Sequence, residues 1–230
     1  MSLPCLAAAI AVASLMLLIP TARADVGATL SLQSDARERG LSYSGNRPMA
    51  LAGVAWDGRD GWYAGALLTH ARFDAQRRGP WLKAYGGRVF ELAPGLDGEV
   101  GLLANRFGNP SHYDFAEAYA GLLGERWQAR LYHSTDYYGS GRRSLYAEFN
   151  QRWPLGRQWQ LQGHVGVLSG QGIYPNGDSS RRVDLRAGLG WSPGVYDLQL
   201  AWVAAGRGGP NTWAESTRRR AVVLSVTAAL

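Results

Sequence analysis

The sequence predicts an all-β fold: a membrane-spanning, antiparallel, up-and-down β-barrel of about twelve strands. Three observations predict it. Stretches of about ten residues alternate polar with apolar side chains. Their connections alternate between short turns and longer loops. Six of the nine tryptophans flank the short turns. Trp56 and Trp62 bracket DGRD (57–60), Trp153 and Trp159 bracket PLGRQ (154–158), Trp127 follows GER (124–126), and Trp191 precedes SPG (192–194). Tryptophan settles where hydrocarbon meets headgroup, so this placement reads as a membrane-interface girdle. The alternative is tryptophan capping the core of a soluble β-sandwich, and the repeated position beside turns favours the membrane.

Residues 1–24 are expected to be a signal peptide and 25–230 the barrel domain. The apolar run Leu6 to Ile19 precedes Pro20 and Ala22-Arg23-Ala24, an A-x-A cleavage signal. That run is short for a membrane helix. Cys5, the only cysteine, leaves with it, which removes disulfide, thiolate and Cys-ligated metal chemistry from the remainder. The chain is rich in glycine (30 of 230 residues) and in aromatics (11%), and helix-period apolar stripes are missing. Its net charge is +6, or +5 once Arg23 is removed, and Lys83 is the only lysine among 24 basic residues. No aromatic-basic nucleic-acid motif accompanies that charge, so nucleic acid is not an expected partner.

Twelve strands are expected, near 26–36, 48–57, 61–72, 80–91, 98–107, 113–123, 126–135, 143–153, 158–169, 181–192, 195–205 and 219–230. The first two lead into the chain's first short turn. In the third, His70 and Arg72 mark one face while Tyr63, Leu67 and Phe73 mark the other, leaving the inward face open. In the fourth, Arg88 falls on the lipid face near a short turn, where its stem can snorkel. The eighth strand sets Tyr146, Glu148, Asn150 and Arg152 against Leu145, Ala147, Phe149 and Trp153. In the ninth, Gln160, Gln162 and His164 oppose Trp159, Leu161, Val165 and Val167. The tenth sets Arg182, Asp184, Arg186, Gly188 and Gly190 against Val183, Leu185, Ala187, Leu189 and Trp191. An arginine at the lipid midplane costs about 2–4 kcal/mol, so the charged faces must line the lumen. The twelfth strand ends on apolar Leu230 and resembles the signal read by the barrel-assembly machinery, although an aromatic last residue is more usual. Its apolar edge should pair with strand one and close the barrel.

The short turns carry Gly, Pro and Asp, the chemistry of tight hairpins. The remaining connections are mostly longer, as expected of outer loops facing away from the periplasm. They hold Arg37, Arg39, Arg47, Arg77, Arg78, Arg142, Arg143, Arg181, Arg207, Arg218, Arg219 and Arg220. Guanidinium forks bind phosphate bidentately, which makes lipopolysaccharide and outer-membrane lipid expected partners. A simple solvated loop surface accounts for the same arginines equally well.

Several segments together resemble the TorF-type porin family, a conserved hypothetical family of secreted proteobacterial proteins. They are SDARERGLSYSGNRPMALAG (34–53), GWYAGALL (61–68), LKAYGGRV (82–89), DFAEAYAGL (114–122), YHSTDYYG (132–139) and SLYAEFNQRWPL (144–155). Their order and spacing carry the resemblance over nearly the whole of 25–230. It implies an outer-membrane barrel engaged in passive solute transport. Where the family places an aromatic or Arg-Phe-Arg run, this chain has DARERGLS (35–42).

The expected function is therefore a narrow diffusion channel for small polar or charged solutes. About twelve strands lie between the eight that side chains can fill and the sixteen that leave an open channel. Candidate pore-lining residues are Lys83, Glu99, Glu117, Arg130, Glu148, Arg152, His164, Asp184, Arg186 and Asp197, whose mixed charges could set up a transverse field. Any one of them could instead pair with a neighbour and plug the interior. Gly87, Gly101, Gly121, Gly166, Gly188 and Gly190 take up little room and favour a partly wet lumen. A non-conducting structural or adhesive barrel is one alternative. A lipid hydrolase is another, resting on His133, Ser134 and Asp136, but adjacent strand residues point to opposite faces. No H-E-x-x-H or P-loop occurs and the histidines are scattered, so no catalytic residue, cofactor or metal is expected.

Overall fold

The computed structural model describes residues 25–170, 180–209 and 218–230, so the expected signal peptide lies outside the described residues. Period-two alternation produces strands β1 (Asp25–Gln33), β4 (Met49–Asp57), β5 (Trp62–Arg72), β6 (Arg78–Ala93), β7 (Leu96–Phe107) and β8 (Phe115–Gly124). Strands β9 (Trp127–Ser134), β10 (Ser144–Pro154), β11 (Trp159–Gly170), β12 (Arg181–Trp191), β13 (Tyr196–Ala205) and β14 (Arg220–Ala229) follow. These twelve form one closed antiparallel barrel. Each lies within three residues of its expected bounds at both ends. Two further short strands, β2 (Arg37–Glu38) and β3 (Leu41–Ser42), make a separate hairpin between β1 and β4.

The closing seam pairs β1 with β14 from Thr29 opposite Ala229 to Gln33 opposite Ser225. The apolar last strand thus finds the partner that its edge required.

The barrel is inverted relative to a soluble protein. On β8, Phe115, Glu117 and Tyr119 are buried while Ala116, Ala118 and Ala120 are exposed. On β10, Leu145 and Phe149 are 44% and 41% exposed, whereas Glu148 is 7% exposed. Leu102, Leu200 and Leu68 are likewise among the large apolar side chains left on the outer surface. The ambiguous third predicted strand resolves the same way. Tyr63, Ala71 and Phe73 are buried and Leu67 packs against the cluster that holds Ala71 and Phe73, so the apolar face of β5 turns inward. His70 faces outward near the long loops.

Tyrosines fill part of the interior by seating over glycines of the adjacent strand. A Cβ added to Gly87 would lie 2.5 Å from the Tyr63 hydroxyl, and one on Gly101 would lie 2.4 Å from the Tyr119 ring. Tyr146 covers Gly166 in the same manner, and the Arg130 stem lies against Gly121. For Gly87, Gly101, Gly121 and Gly166 the expectation that they favour a partly wet lumen is corrected: their missing side chains make room for rings and an arginine stem. Gly190 differs, since only the Gln160 and Gln162 side chains approach it.

Candidate functional site: a divided lumen under an inward hairpin

Residues 35–44 are all buried. The hairpin β2–β3 turns at Arg39 and Gly40, both with positive φ (50° and 76°), the geometry of a two-residue type I′ connection. Gly40 adopts that region freely, while a non-glycine residue there stores about 1–3 kcal/mol that surrounding contacts must hold. Asp35 organises the base of the hairpin. Its carboxylate accepts from Arg37 Nε at 2.6 Å, Ser42 Oγ at 2.6 Å and Ser44 Oγ at 2.8 Å.

The hairpin spans the lumen. Glu38 Oε2 accepts from Lys83 Nζ of β6 at 2.6 Å. Arg39 Nη2 donates to Glu117 Oε2 of β8 at 2.6 Å, and its Nη1 donates to the Tyr137 hydroxyl at 3.1 Å. The same guanidinium stacks on the Tyr146 ring, 4.3 Å from its centroid. Gly40 touches the far wall, where an added Cβ would lie 2.7 Å from Ala205 Cβ and 2.8 Å from Asp184 Cβ. Apolar contacts complete the seat: Tyr43 stacks on Trp81 at 4.8 Å and meets the Tyr138 hydroxyl, and Leu41 joins the same aromatic cluster.

Arg37 and Arg39 are therefore not outer-surface arginines, as their loop position led us to expect. Arg37 pairs with the buried Asp35 inside the hairpin and Arg39 with the buried Glu117 across the lumen, and a hairpin with Leu41 and Tyr43 at alternate positions gains more by packing inside. That alternation beside an Arg-Gly turn is the signal that sequence reasoning missed. Among the other expected outer arginines, Arg218 meets the hairpin through its carbonyl, 2.8 Å from Arg37 Nη1, while Arg182, expected on the lumen face of its strand, is fully enclosed there.

All ten candidate pore-lining residues sit on the inner face, but in two groups. Lys83, Glu99, Glu117, Arg130 and Glu148 belong to a packed half lined by β5–β10. There Arg130 forks onto Glu99 at 2.5 and 3.0 Å, Tyr63 donates to Glu99 at 2.5 Å, and Tyr132 donates to Glu148 at 3.2 Å. Removing one member of such a buried pair costs about 3–5 kcal/mol, because the survivor is left uncompensated. Arg152, His164, Asp184, Arg186 and Asp197 instead line a cavity of about 450 Å³ on the other side. Its walls come chiefly from β1, β4 and β10–β14, its roof from Arg37, Arg39 and Gly40, and its lower rim from the turns at 154–158 and 192–196. Among the described residues, no other outer loop lines it.

The charges of the cavity are not all matched. His164 is held by Asp184 (2.8 Å) and Asn150 (2.7 Å). Asp197 accepts from Ser192 (2.7 Å) and Gln199 (3.1 Å), and Gln199 accepts from Arg186 (2.6 Å). Among the described residues, Arg152 and Arg186 form no ion pair.

The six girdle tryptophans lie on the outer surface at the short-turn end. Trp62, Trp153, Trp159, Trp56 and Trp191 are exposed, Trp191 stacks on Trp159 at 5.7 Å, and Trp127 stacks on Phe149 at 6.0 Å. Arg88 lies over Trp62 and donates to the Asp60 carbonyl at 3.2 Å, so its charge reaches the rim. His133 faces outward with Nδ1 3.0 Å from the Ser144 carbonyl, whereas Ser134 is buried. The two therefore cannot act on one substrate. No group of three or more His, Cys, Asp or Glu residues is arranged to hold a metal ion among the described residues.

Solved structures share this architecture. The NanC porin in a rhombohedral crystal form superposes with a TM-score of 0.60, at 10% identity over 90% of this chain and 100% of that one. The KdgM porin superposes at 0.55, with 8% identity over 89% of this chain and 98% of that one. A second KdgM structure, in complex with disordered oligogalacturonate, gives 0.55 at 7% identity over 89% and 98% of the two chains. At these identities the likeness establishes the fold. No curated protein matches the sequence. A family model matches residues 19–227, and the chain belongs to that family, described as bacterial protein of unknown function (Gcw_chp).

Proposed function

We propose that this chain is an outer-membrane, porin-like channel that passes small polar or charged solutes by passive diffusion. One observation carries the reading: an apolar outer surface encloses a polar cavity of about 450 Å³ in which Arg152 and Arg186 form no ion pair among the described residues. Burying those groups without a wet lumen would be costly. The names of the NanC and KdgM structures, both called porins, support the same reading, as does the TorF-type resemblance. On this reading residues 1–24 direct export, β14 is read by the assembly machinery, the tryptophans anchor the periplasmic rim, and outer arginines meet lipopolysaccharide phosphates. The seated hairpin closes the outer entrance, so conduction requires it to lift.

The test is planar-bilayer recording of the refolded chain. Small, salt-dependent single-channel steps are expected. A folded barrel that is electrically silent, both as the parent and with its hairpin contacts broken, refutes the channel. The packed hairpin favours one second reading, a non-conducting structural barrel, and the same silence would establish it.

A further inference from the structure

The open side of the lumen presents two kinds of polar wall, arranged in strand order. On β10–β12, beside the mutually bonded His164 and Asp184, the groups are donors. Arg152 makes no side-chain hydrogen bond or ion pair among the described residues. The Arg186 Nε and the Gln162 Nε2 are buried without a hydrogen-bond partner. Arg152 and Gln162 are direct cross-strand partners, and Gln162 in turn faces Gly188, two residues from Arg186 on β12. Buried donors are normally satisfied, so the orphaned Nε of Arg186, a residue that lines the cavity, marks a place for an acceptor to bind. On β14 and β1 the groups are hydroxyls: Ser225 and Thr227 beside Thr29 and Ser31, with Thr227 Oγ1 donating to Ser31 Oγ at 2.9 Å. Between the two walls stands the Asp197 carboxylate.

We infer that this arc is a binding site for a small hydroxylated monocarboxylate, its carboxylate held by Arg152 and Arg186 and its hydroxyls by Asp197 and the Ser/Thr wall. Guanidinium forks match a flat carboxylate in geometry as well as charge. Asp197 interacts electrostatically with both arginines. Its negative charge in the same layer selects against a doubly charged head group such as phosphate, while offering an acceptor to a hydroxyl. Arg157 and Gln158 of the lower rim line the same cavity. The inference names the solute class of the proposed channel and rests on that reading for its role in transport, not for the binding itself.

Calorimetric titration of the folded chain in detergent micelles tests it without requiring conduction. Gluconate is the probe, sorbitol the uncharged control and inorganic phosphate the competing oxyanion. Gluconate should bind, sorbitol should give no heat, and phosphate should bind more weakly than gluconate. The Arg152→Gln/Arg186→Gln variant should bind gluconate at least tenfold more weakly. Arg152→Gln alone, which breaks no hydrogen bond or ion pair among the described residues, should show a loss in the same direction and guards against misfolding of the double variant. Absence of gluconate binding, equal affinity in the variants, or tighter binding of phosphate or sorbitol overturns the site. A barrel that binds gluconate yet never conducts would overturn the channel and leave the site standing. One that conducts without binding does the reverse.

Discussion

Replacing Glu117 with alanine removes the carboxylate that holds the hairpin turn against β8. Alanine adds no charge of its own, so the whole penalty falls on Arg39, whose guanidinium is buried together with its partner in the parent (side-chain exposures of 6% and 0%). Breaking such a pair from one side costs about 3–5 kcal/mol. Arg39 keeps the Tyr137 hydroxyl and the Tyr146 face, so the lower end applies. The strain of its positive φ adds to the tendency to leave. Only the seated hairpin pays this penalty, because a lifted one returns Arg39 to water. At about 1.4 kcal/mol per tenfold, about 3 kcal/mol shifts the seated-to-lifted ratio roughly a hundredfold toward lifted. Single-channel recording reads that ratio as open probability, with heat-modifiable gel migration confirming a folded barrel. Glu117→Gln, which retains an acceptor, should fall between parent and alanine variant. An open probability for Glu117→Ala within twofold of the parent would refute the latch.

Lys83→Ala should also raise open probability, since it strands the Glu38 carboxylate inside the barrel; unchanged gating would leave Arg39 as the sole latch. Gly101→Val should lower the urea midpoint in micelles by the equivalent of about 1–3 kcal/mol, because its side chain enters the space of the Tyr119 ring; an unmoved midpoint argues against the tyrosine seats. In the exposed outer turn, the Arg77 side chain and backbone hydrogen bonds hold the Asp74 carboxyl below the usual aspartate range. A depressed carboxyl contributes stability above its unfolded pKa and loses it as pH falls through the folded one. Arg77→Gln should therefore move the Asp74 titration, followed by NMR, back upward; an unmoved titration would detach that turn from Arg77. Lipids brominated near the headgroup should quench tryptophan fluorescence more than lipids brominated at the chain terminus, and the reverse order would remove the girdle from the interface.

Most of the barrel was legible because period-two alternation reports directly which side chain points where. The faces of β10–β12 could be assigned one residue at a time, as could the pairing of a greasy last strand with the first. β5 was harder, since its inward face is apolar and its outward end carries His70 and Arg72, so polarity alone misleads there. The inner-face positions of all ten candidate residues were legible too. Their division into a packed half and a cavity was not, for it depends on where one loop goes.

Alternation along the chain determined the strands, their inner and outer faces, and the barrel's closure, because these follow from local geometry and from the cost of charge in lipid. The tertiary structure decided which charges neutralise one another and which stand free. Arg39 and Glu117 are 78 residues apart, and no local pattern encodes such a meeting. It arises only when the hairpin folds across the lumen and tyrosines close over glycines of the neighbouring strands.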